Sequence, residues 1–423
     1  MLQIANIRKN ATEVAERLSI RGLDGKTLVA NVLELDEKNR AKRTEMESLQ
    51  SKGNQLTGQI GELYKSGQKE AGDALKLASA EIKEQLKTLE ADVELGDQAM
   101  LQLLLTIPNT PSTEVPLGKT PDDNLEVSQW GSKPDLSSQS LPHWELAAKY
   151  DIIDFELGVK LTGAGFPVYK GKGAIFQRAL IQFFLNEAGK AGYTEIQPPL
   201  LVNADSGYGT GQLPDKEGQM YHSTVDDLYL IPTAEVPITN LYRDVILNEG
   251  QLPIKNAGYT PCFRREAGSY GAHVRGLNRL HQFDKIEIVQ IVKPENSYGV
   301  LEEMQTYVQG LLQKLGLHYR VLLLCGGDMG FTSAKTYDME VWSAAQEKWL
   351  ECSSVSNFET FQTNRLKCRF RNTEGKTELA HSLNGSALAL PRIVAALLEN
   401  NQTPDGIKVP EVLVPYTGFD MIN

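Results

Sequence analysis

The stretch Cys262-Phe263-Arg264-Arg265-Glu266-Ala267-Gly268-Ser269-Tyr270-Gly271, running on through Arg275, Arg279, His281, Gln282, Phe283, Asp284, Lys285 and Glu287, decides the fold. Charge, glycine and aromatic residues interleave here without a helical period, the mix of a loop between two strands. Side chains on the return strand alternate between faces, which predicts Arg279, Phe283 and Glu287 on related faces at even spacing. A guanidinium, a flat ring and a carboxylate on one sheet face can hold a phosphate, stack a base and grip an amine. One Arg–Glu pair alone reads as a salt bridge on an exposed hairpin; the whole constellation reads as a site.

Working outward toward the C-terminus, 286–292 and 319–324 are strand-like, with a helix over 298–315 between them. Residues 365–371 alternate as a half-buried antiparallel strand does, and 386–400 close as a helix. Upstream, 173–191 is an amphipathic helix, and 193–197 a strand ending at Pro198-Pro199. Strands cluster instead of alternating regularly with helices. The expected class is α+β, with a mostly antiparallel sheet flanked by helices.

The first third differs. Apolar residues step by fours and threes through Leu28, Val32, Leu35, Met46, Leu49, Leu56, Ile60 and Leu63, with Asn39, Lys42 and Gly53 at the same stagger. After the turn-like 65–72, a second series runs Leu75, Ser79, Ile82, Leu86, Leu89, Val93, Gly96, Met100, Leu103. Two such seams predict an antiparallel coiled-coil hairpin, an arm of roughly 50–60 Å. Polar seam residues loosen its packing, which suits a lever or reader; a plain dimerisation coiled coil is the blander reading. Pro108, Pro111, Pro116 and Pro121 then mark a linker. The expected domains are 1–105, a linker over 106–140, and 141–423.

The chain has 423 residues and a net charge of −11, too acidic for a protein that coats nucleic acid indiscriminately, although a local basic stripe suffices to bind RNA. Four scattered cysteines in no C-x-x-C pair, and six scattered histidines, argue against a disulfide scaffold or a zinc site. No run of about 18 apolar residues exists, and the N-terminus lacks the apolar core of a signal peptide, so a cytoplasmic protein off the membrane is expected. There is no G-x-x-x-x-G-K-[ST] phosphate loop.

Residues 263–287 closely resemble motif 2 of the class II aminoacyl-tRNA synthetases in its seryl form. Gly192-Tyr193-Thr194-Glu195-Ile196-Gln197-Pro198-Pro199 looks like motif 1. Ile231-Pro232-Thr233-Ala234-Glu235-Val236-Pro237 is similar to the seryl enzymes' serine-binding loop, Glu351-Cys352-Ser353-Ser354 to their acidic strand, and His381-Ser382-Leu383-Asn384-Gly385-Ser386 through Pro391-Arg392 to motif 3. The hairpin and Pro-rich linker match the family's tRNA-binding arm. Two departures stand out: Arg265, where many relatives carry a small residue, and Ala387, where motif 3 often has a second glycine.

The resemblance implies a class II catalytic domain that activates L-serine with ATP and passes it to the 3′ end of serine tRNA, and of selenocysteine tRNA where that exists. It implies a homodimer with motif 1 near the interface, Mg²⁺ with the ATP, and no zinc. Catalytic roles fall to Arg264, Arg279 and Arg392. ATP falls to Arg264, Arg265, Glu266, Leu280, Phe283, Glu351, Cys352, Ser353, Ser354 and Arg392. Thr233, Ala234, Glu235, Arg264, Glu287 and Ser386 are expected to bind serine, and Glu351 with Ser354 to meet Mg²⁺ through hard oxygens. A threonine enzyme, a ligase acting on a carrier protein and an inactive scaffold are the rivals. The long arm and the joint presence of Arg264, Glu266, Glu287, Glu351 and Arg392 weigh against the last two.

Overall fold

The computed structural model describes residues 1–136, 140–215, 218–266 and 275–423. The chain divides into two compact units, one of Leu2–Ser19 with Leu23–Pro108, the other of Met1, Ile20–Gly22 and Asn109–Asn423.

In the first unit, α1 (Gly25–Lys65) and α2 (Lys69–Thr106) pair along most of their length. Asp24 caps α1, its side chain accepting from the Thr27 N–H at 3.1 Å. Every position of both expected seams is buried or half-buried, while nearly all their neighbours beyond the root are exposed. The polar interruptions fix the register. Asn39 Nδ2 donates to the Gly96 carbonyl at 2.8 Å, and a Cβ on Gly96 would stand 2.3 Å from Asn39 Oδ1. Beside that crossing, Lys42 pairs with Asp92 at 3.1 Å.

The second unit is built on eight strands: β1 (Leu125–Trp130), β2 (Thr194–Glu195), β3 (Ile254–Phe263), β4 (Gln282–Val292), β5 (Tyr319–Leu323), β6 (Lys335–Ser343), β7 (Lys348–Asn357) and β8 (His381–Ala389). Their order is β1-β5-β6-β7-β8-β4-β3-β2. All neighbours are antiparallel except β2 and β3. Helices α3 (Gly171–Lys190), α5 (Ser297–Lys314) and α6 (Leu390–Asn400) bury Phe176, Leu180, Phe184, Met304, Val308, Leu311, Ile393 and Leu397 in one apolar core with the sheet. The short α4 (Glu235–Asn240) precedes α5 and packs Ile238 with Val289. β4 shows why the sheet can carry a core and a site together. Ile286 and Ile288 enter the core, whereas Glu287 and Val289 take the other face.

Three elements differ from the sequence reading. The expected linker is not a free connector: Asn109 Nδ2 donates to the Thr332 and Phe358 carbonyls at 2.9 and 2.8 Å, and Leu125–Trp130 becomes the sheet's edge strand. Prolines and polar spacing marked a chain without its own periodicity; they carry no sign of what the backbone docks against. The alternating 365–371 is split. Phe361–Leu366 is helical, Lys367 ends it in the left-handed region at φ +52°, and only Arg369–Arg371 is strand. The expected helix over 386–400 begins at Leu390, because Ser386–Ala389 still pair in β8, Ser386 with Glu287 and Ala389 with Lys285.

Candidate active site

The β3–β4 hairpin, β7, β8 and the start of α6 enclose a cavity of about 290 Å³. Arg264, Glu266, Arg279, Leu280, Phe283, Glu351, Cys352, Ser353, Ser386 and Arg392 line it, together with Lys285 and Asn278. Residues from three motifs, spread over the 128 positions between Arg264 and Arg392, thus share one chamber. Arg264 follows β3, and its guanidinium lies 5.2 Å from the Phe283 ring centroid. Its Nε donates to the Pro232 carbonyl at 3.3 Å, and the rest of the fork makes no hydrogen bond among the described residues, so it can meet an anion. Glu266 sits at φ +47°, an uncommon backbone for a residue with a Cβ, and pairs with Arg279. Arg279 belongs to the turn before β4 and not, as the alternation suggested, to the strand. Arg392 donates to the Glu351 carbonyl at 2.6 Å and stands 3.4 Å from its carboxylate.

At the floor, Lys285 and Ser386 cover a buried acid. Glu287 is 1% exposed and touches Lys285 Nζ at 2.6 Å. It accepts from Asn384 Nδ2 at 3.0 Å, from Thr233 Oγ1 at 3.3 Å and from Ser386 Oγ at 3.5 Å. A buried carboxylate needs such a cation and such donors. The set is an ammonium-and-hydroxyl binder in miniature, with Lys285 occupying the cation position. Glu235 lies just behind, its Oε1 accepting from Gln362 Nε2 at 2.6 Å. Burial, and then the nearby Glu287 charge, push its carboxyl up to about 7.

Thr233 and Glu235 are buried behind the chamber and do not line it; Thr233 reaches the site through Glu287. Ala234 packs into the core with Ile238 and Val289, leaving only its backbone to offer. Arg265 is exposed, outside the lining, its backbone N–H tied to the Gln219 carbonyl at 2.9 Å. Ser354 also lies off the chamber. It pairs with Asp338 across β6 and β7 and lines a neighbouring depression of about 450 Å³, which Glu351 reaches too. A register shift in the β6–β7 pairing between Met339 and Glu340 breaks simple alternation there, so that Glu351 and Ser354, three positions apart, line the same depression while Cys352 and Ser353 line the chamber. Ala387, the departure in motif 3, is wholly buried in the core and takes no part in the lining. The motif residues Ala267–Gly271 fall outside the described residues, except that Glu266 precedes them.

Sequence reasoning gave no role to Lys285, Asn384 or Gln362. Two-residue spacing carried the signal for the first two, because Lys285 shares a strand face with Glu287, and Asn384 with Ser386. Nothing local marks Gln362, which reaches Glu235 from 127 positions away.

Two family models match the chain: the seryl-tRNA synthetase N-terminal domain over residues 1–111, and the tRNA synthetase class II core domain (G, H, P, S and T) over 220–401. The chain is 51% identical to the serine–tRNA ligase of Salinibacter ruber, over 100% of this chain and 99% of the relative. It is 48% identical to that of Akkermansia muciniphila with the same coverage. Among solved structures, the seryl-tRNA synthetase from Pyrococcus horikoshii complexed with ATP superimposes with a TM-score of 0.94 at 34% identity, covering 100% of this chain and 99% of that one. The cytoplasmic serine–tRNA ligase from Naegleria fowleri in complex with AMP gives 0.89 at 28% identity with the same coverage.

Proposed function

Because the chain belongs to the seryl-tRNA synthetase family, whose members attach serine to tRNA, we propose that the chamber between β4, β7 and β8 is where serine and ATP react. The observation that carries this reading is the convergence of Arg264, Phe283, Glu351, Ser386 and Arg392 on one cavity above Glu287.

Adenine stacks on Phe283, and Glu266 accepts from its amino group. Arg264 forks onto the α-phosphate, a bidentate contact lysine cannot make, and Arg392 holds the γ-phosphate. Arg279, paired with Glu266, holds that acid and touches phosphate. Leu280, Cys352 and Ser353 wall the nucleotide; Arg265 contributes its backbone. Glu287 takes the serine ammonium, as it takes Lys285 Nζ here, and shares the hydroxyl with Ser386, while Thr233 holds the Glu287 carboxylate from behind, on the ammonium's side. Glu235 and Ala234 shape the loop beneath. A serine carboxylate oxygen attacks the α-phosphorus, and pyrophosphate leaves. The terminal ribose oxygen of tRNA then attacks the adenylate carbonyl, and AMP leaves. No protein nucleophile is required; positioning and charge neutralisation suffice.

The donor set suits Mg²⁺ bound mainly by phosphate oxygens, since Glu351 gives one carboxylate and Ser354 a hydroxyl in the adjoining depression. When bound, the ion neutralises phosphate charge.

The α1–α2 arm reads tRNA by shape and backbone, the usual mode for structured RNA. The domains expected from this reading are an arm over 1–105 and a catalytic domain over 141–423, whose sheet also takes its edge strand, Leu125–Trp130, from the expected linker 106–140. Leu157, Val159 and Leu161, exposed on the short helix Phe155–Leu161, are apolar surface of the kind a second copy covers in a homodimer. All four cysteines are buried and unpaired, which fits the reducing cytoplasm, and no described helix is long and apolar enough to cross a membrane.

Serine-dependent ATP–pyrophosphate exchange, run across serine, threonine, alanine and glycine, tests the reading. Serine is expected to lead alanine by at least about a hundredfold, because alanine leaves buried polar groups unpaired. Glu287→Ala is expected to lose serine activation while ATP still binds. Equal turnover of alanine, or unchanged serine kinetics in the variant, sinks the assignment.

A further inference from the structure

Behind the chamber runs a buried polar chain to which no catalytic role has been given. His143 and Glu399 are both 0% exposed. Glu399, near the end of α6, accepts from the His143 backbone N–H at 2.9 Å, lies 2.7 Å from its Nδ1, and takes a further bond from Ser343 Oγ. On the other side of the ring, the Leu277 N–H donates to Nε2 at 2.8 Å. A backbone N–H only donates, so Nε2 is an acceptor and the ring proton sits on Nδ1, facing the carboxylate. Burial alone would raise the Glu399 carboxyl; hydrogen bonds from His143 and Ser343 hold it below the usual range instead. Gly276, at φ +69°, passes so close that a Cβ there would stand 2.2 Å from Nε2, an approach only glycine permits. A second branch runs through Gln346. Its Nε2 donates to Glu399 at 2.8 Å, and its Oε1 accepts from Asn278 Nδ2 at 2.9 Å. The Asn278 carbonyl in turn accepts from Arg392 Nε at 3.4 Å. Leu277, Asn278 and Leu280 all line the chamber.

We propose that His143 is a positioning residue for ATP. Oriented by Glu399, its Nε2 pins the 276–280 turn that walls the nucleotide and, through Asn278, steadies the guanidinium of Arg392. The proposal rests on the nucleotide reading of the chamber. It predicts that the device acts on ATP and spares serine, because the chain contacts the Leu277–Leu280 wall and has no bond to Glu287, Thr233 or Ser386.

Two isosteres separate positioning from mere packing. In His143→Asn the amide nitrogen stands where Nδ1 stood and keeps the bond to Glu399, but nothing reaches the Leu277 N–H. In His143→Gln the amide oxygen reaches toward the Nε2 position and can accept it. Pyrophosphate exchange by the full chain is expected to show KM for ATP raised about tenfold in His143→Asn, the cost of one orphaned buried donor, and restored to within about threefold in His143→Gln. KM for serine is expected to stay within about twofold in both. A joint rise of the two KM values, or a glutamine variant no better than asparagine, overturns the proposal. Should either histidine variant melt below the assay temperature, the half-buried Gln346→Ala replaces it: ATP KM rising alone supports the device, and unchanged ATP KM overturns it. Serine-dependent exchange by the unaltered chain reports separately on the reading beneath, so failure of the one is not mistaken for failure of the other.

Discussion

Glu235 is the residue whose chemistry is least visible in its neighbours along the chain. Threonine and alanine precede it and valine follows, and nothing there announces a carboxyl lifted to about 7. The lift comes from burial and from Glu287, 52 positions away. It has a consequence for stability. The folded state favours the protonated form, so between pH 4.5 and 7 the native chain holds more protons than the unfolded one. The stability this contributes is fully present below pH 4.5 and is lost as pH rises through about 7. Glu235→Gln removes the ionisation, and its stability relative to wild type, read from urea unfolding without substrates, should improve by roughly 2–3 kcal/mol between pH 5 and pH 8. A pH-independent difference contradicts the burial account. By contrast, Glu287 and Ser386 were legible, because each sits inside a dense motif, and Lys285 was half legible, on the same strand face as Glu287. Arg265 and Ser354 lie off the chamber for one reason: adjacency in a motif does not tell which way a loop or an irregular strand turns its side chains.

At the scale of elements, the arm was the clearest text in the sequence. A heptad seam is a local property, and each of its positions is buried or half-buried here, Asn39 and Gly96 included. The 365–371 and 386–400 readings failed where periodicity met a boundary. Three residues of alternation fit a strand or the end of a helix equally well, and only pairing with Glu287 and Lys285 extends β8 to Ala389. The 109–130 segment was opaque because its partners, Thr332, Phe358 and β5, lie about 200 positions away. The division of the chain into two compact units, one with the arm and one with the chamber, carries its own prediction. Deleting residues 30–100 and closing the gap with a short turn should leave pyrophosphate exchange within about threefold of the intact chain, and reduce tRNA charging by about a hundredfold or more, since shape recognition of the RNA is lost while the chamber's residues all remain. Equal loss of both activities refutes that division of labour.

For the whole molecule, the same logic runs from a mostly antiparallel sheet to a two-step reaction. One face of the sheet is sealed by α3, α5 and α6; the other face can then carry a buried acid and a lysine, with three arginines brought to them by the β3–β4 connection and the start of α6, without costing the fold its core. A homodimer is expected as well, and sedimentation should give about twice the 46.8 kDa of one chain; a monomer at micromolar concentration contradicts it. The central claim is that one chamber takes both nucleotide and amino acid. A crystal structure with a non-hydrolysable seryl-adenylate analogue tests it most directly. The ring of the base should lie on Phe283, the phosphate mimic within about 3.2 Å of Arg264, and the serine ammonium within about 3.2 Å of Glu287. An analogue bound away from Glu287, or held with Arg264 turned off the phosphate, contradicts it.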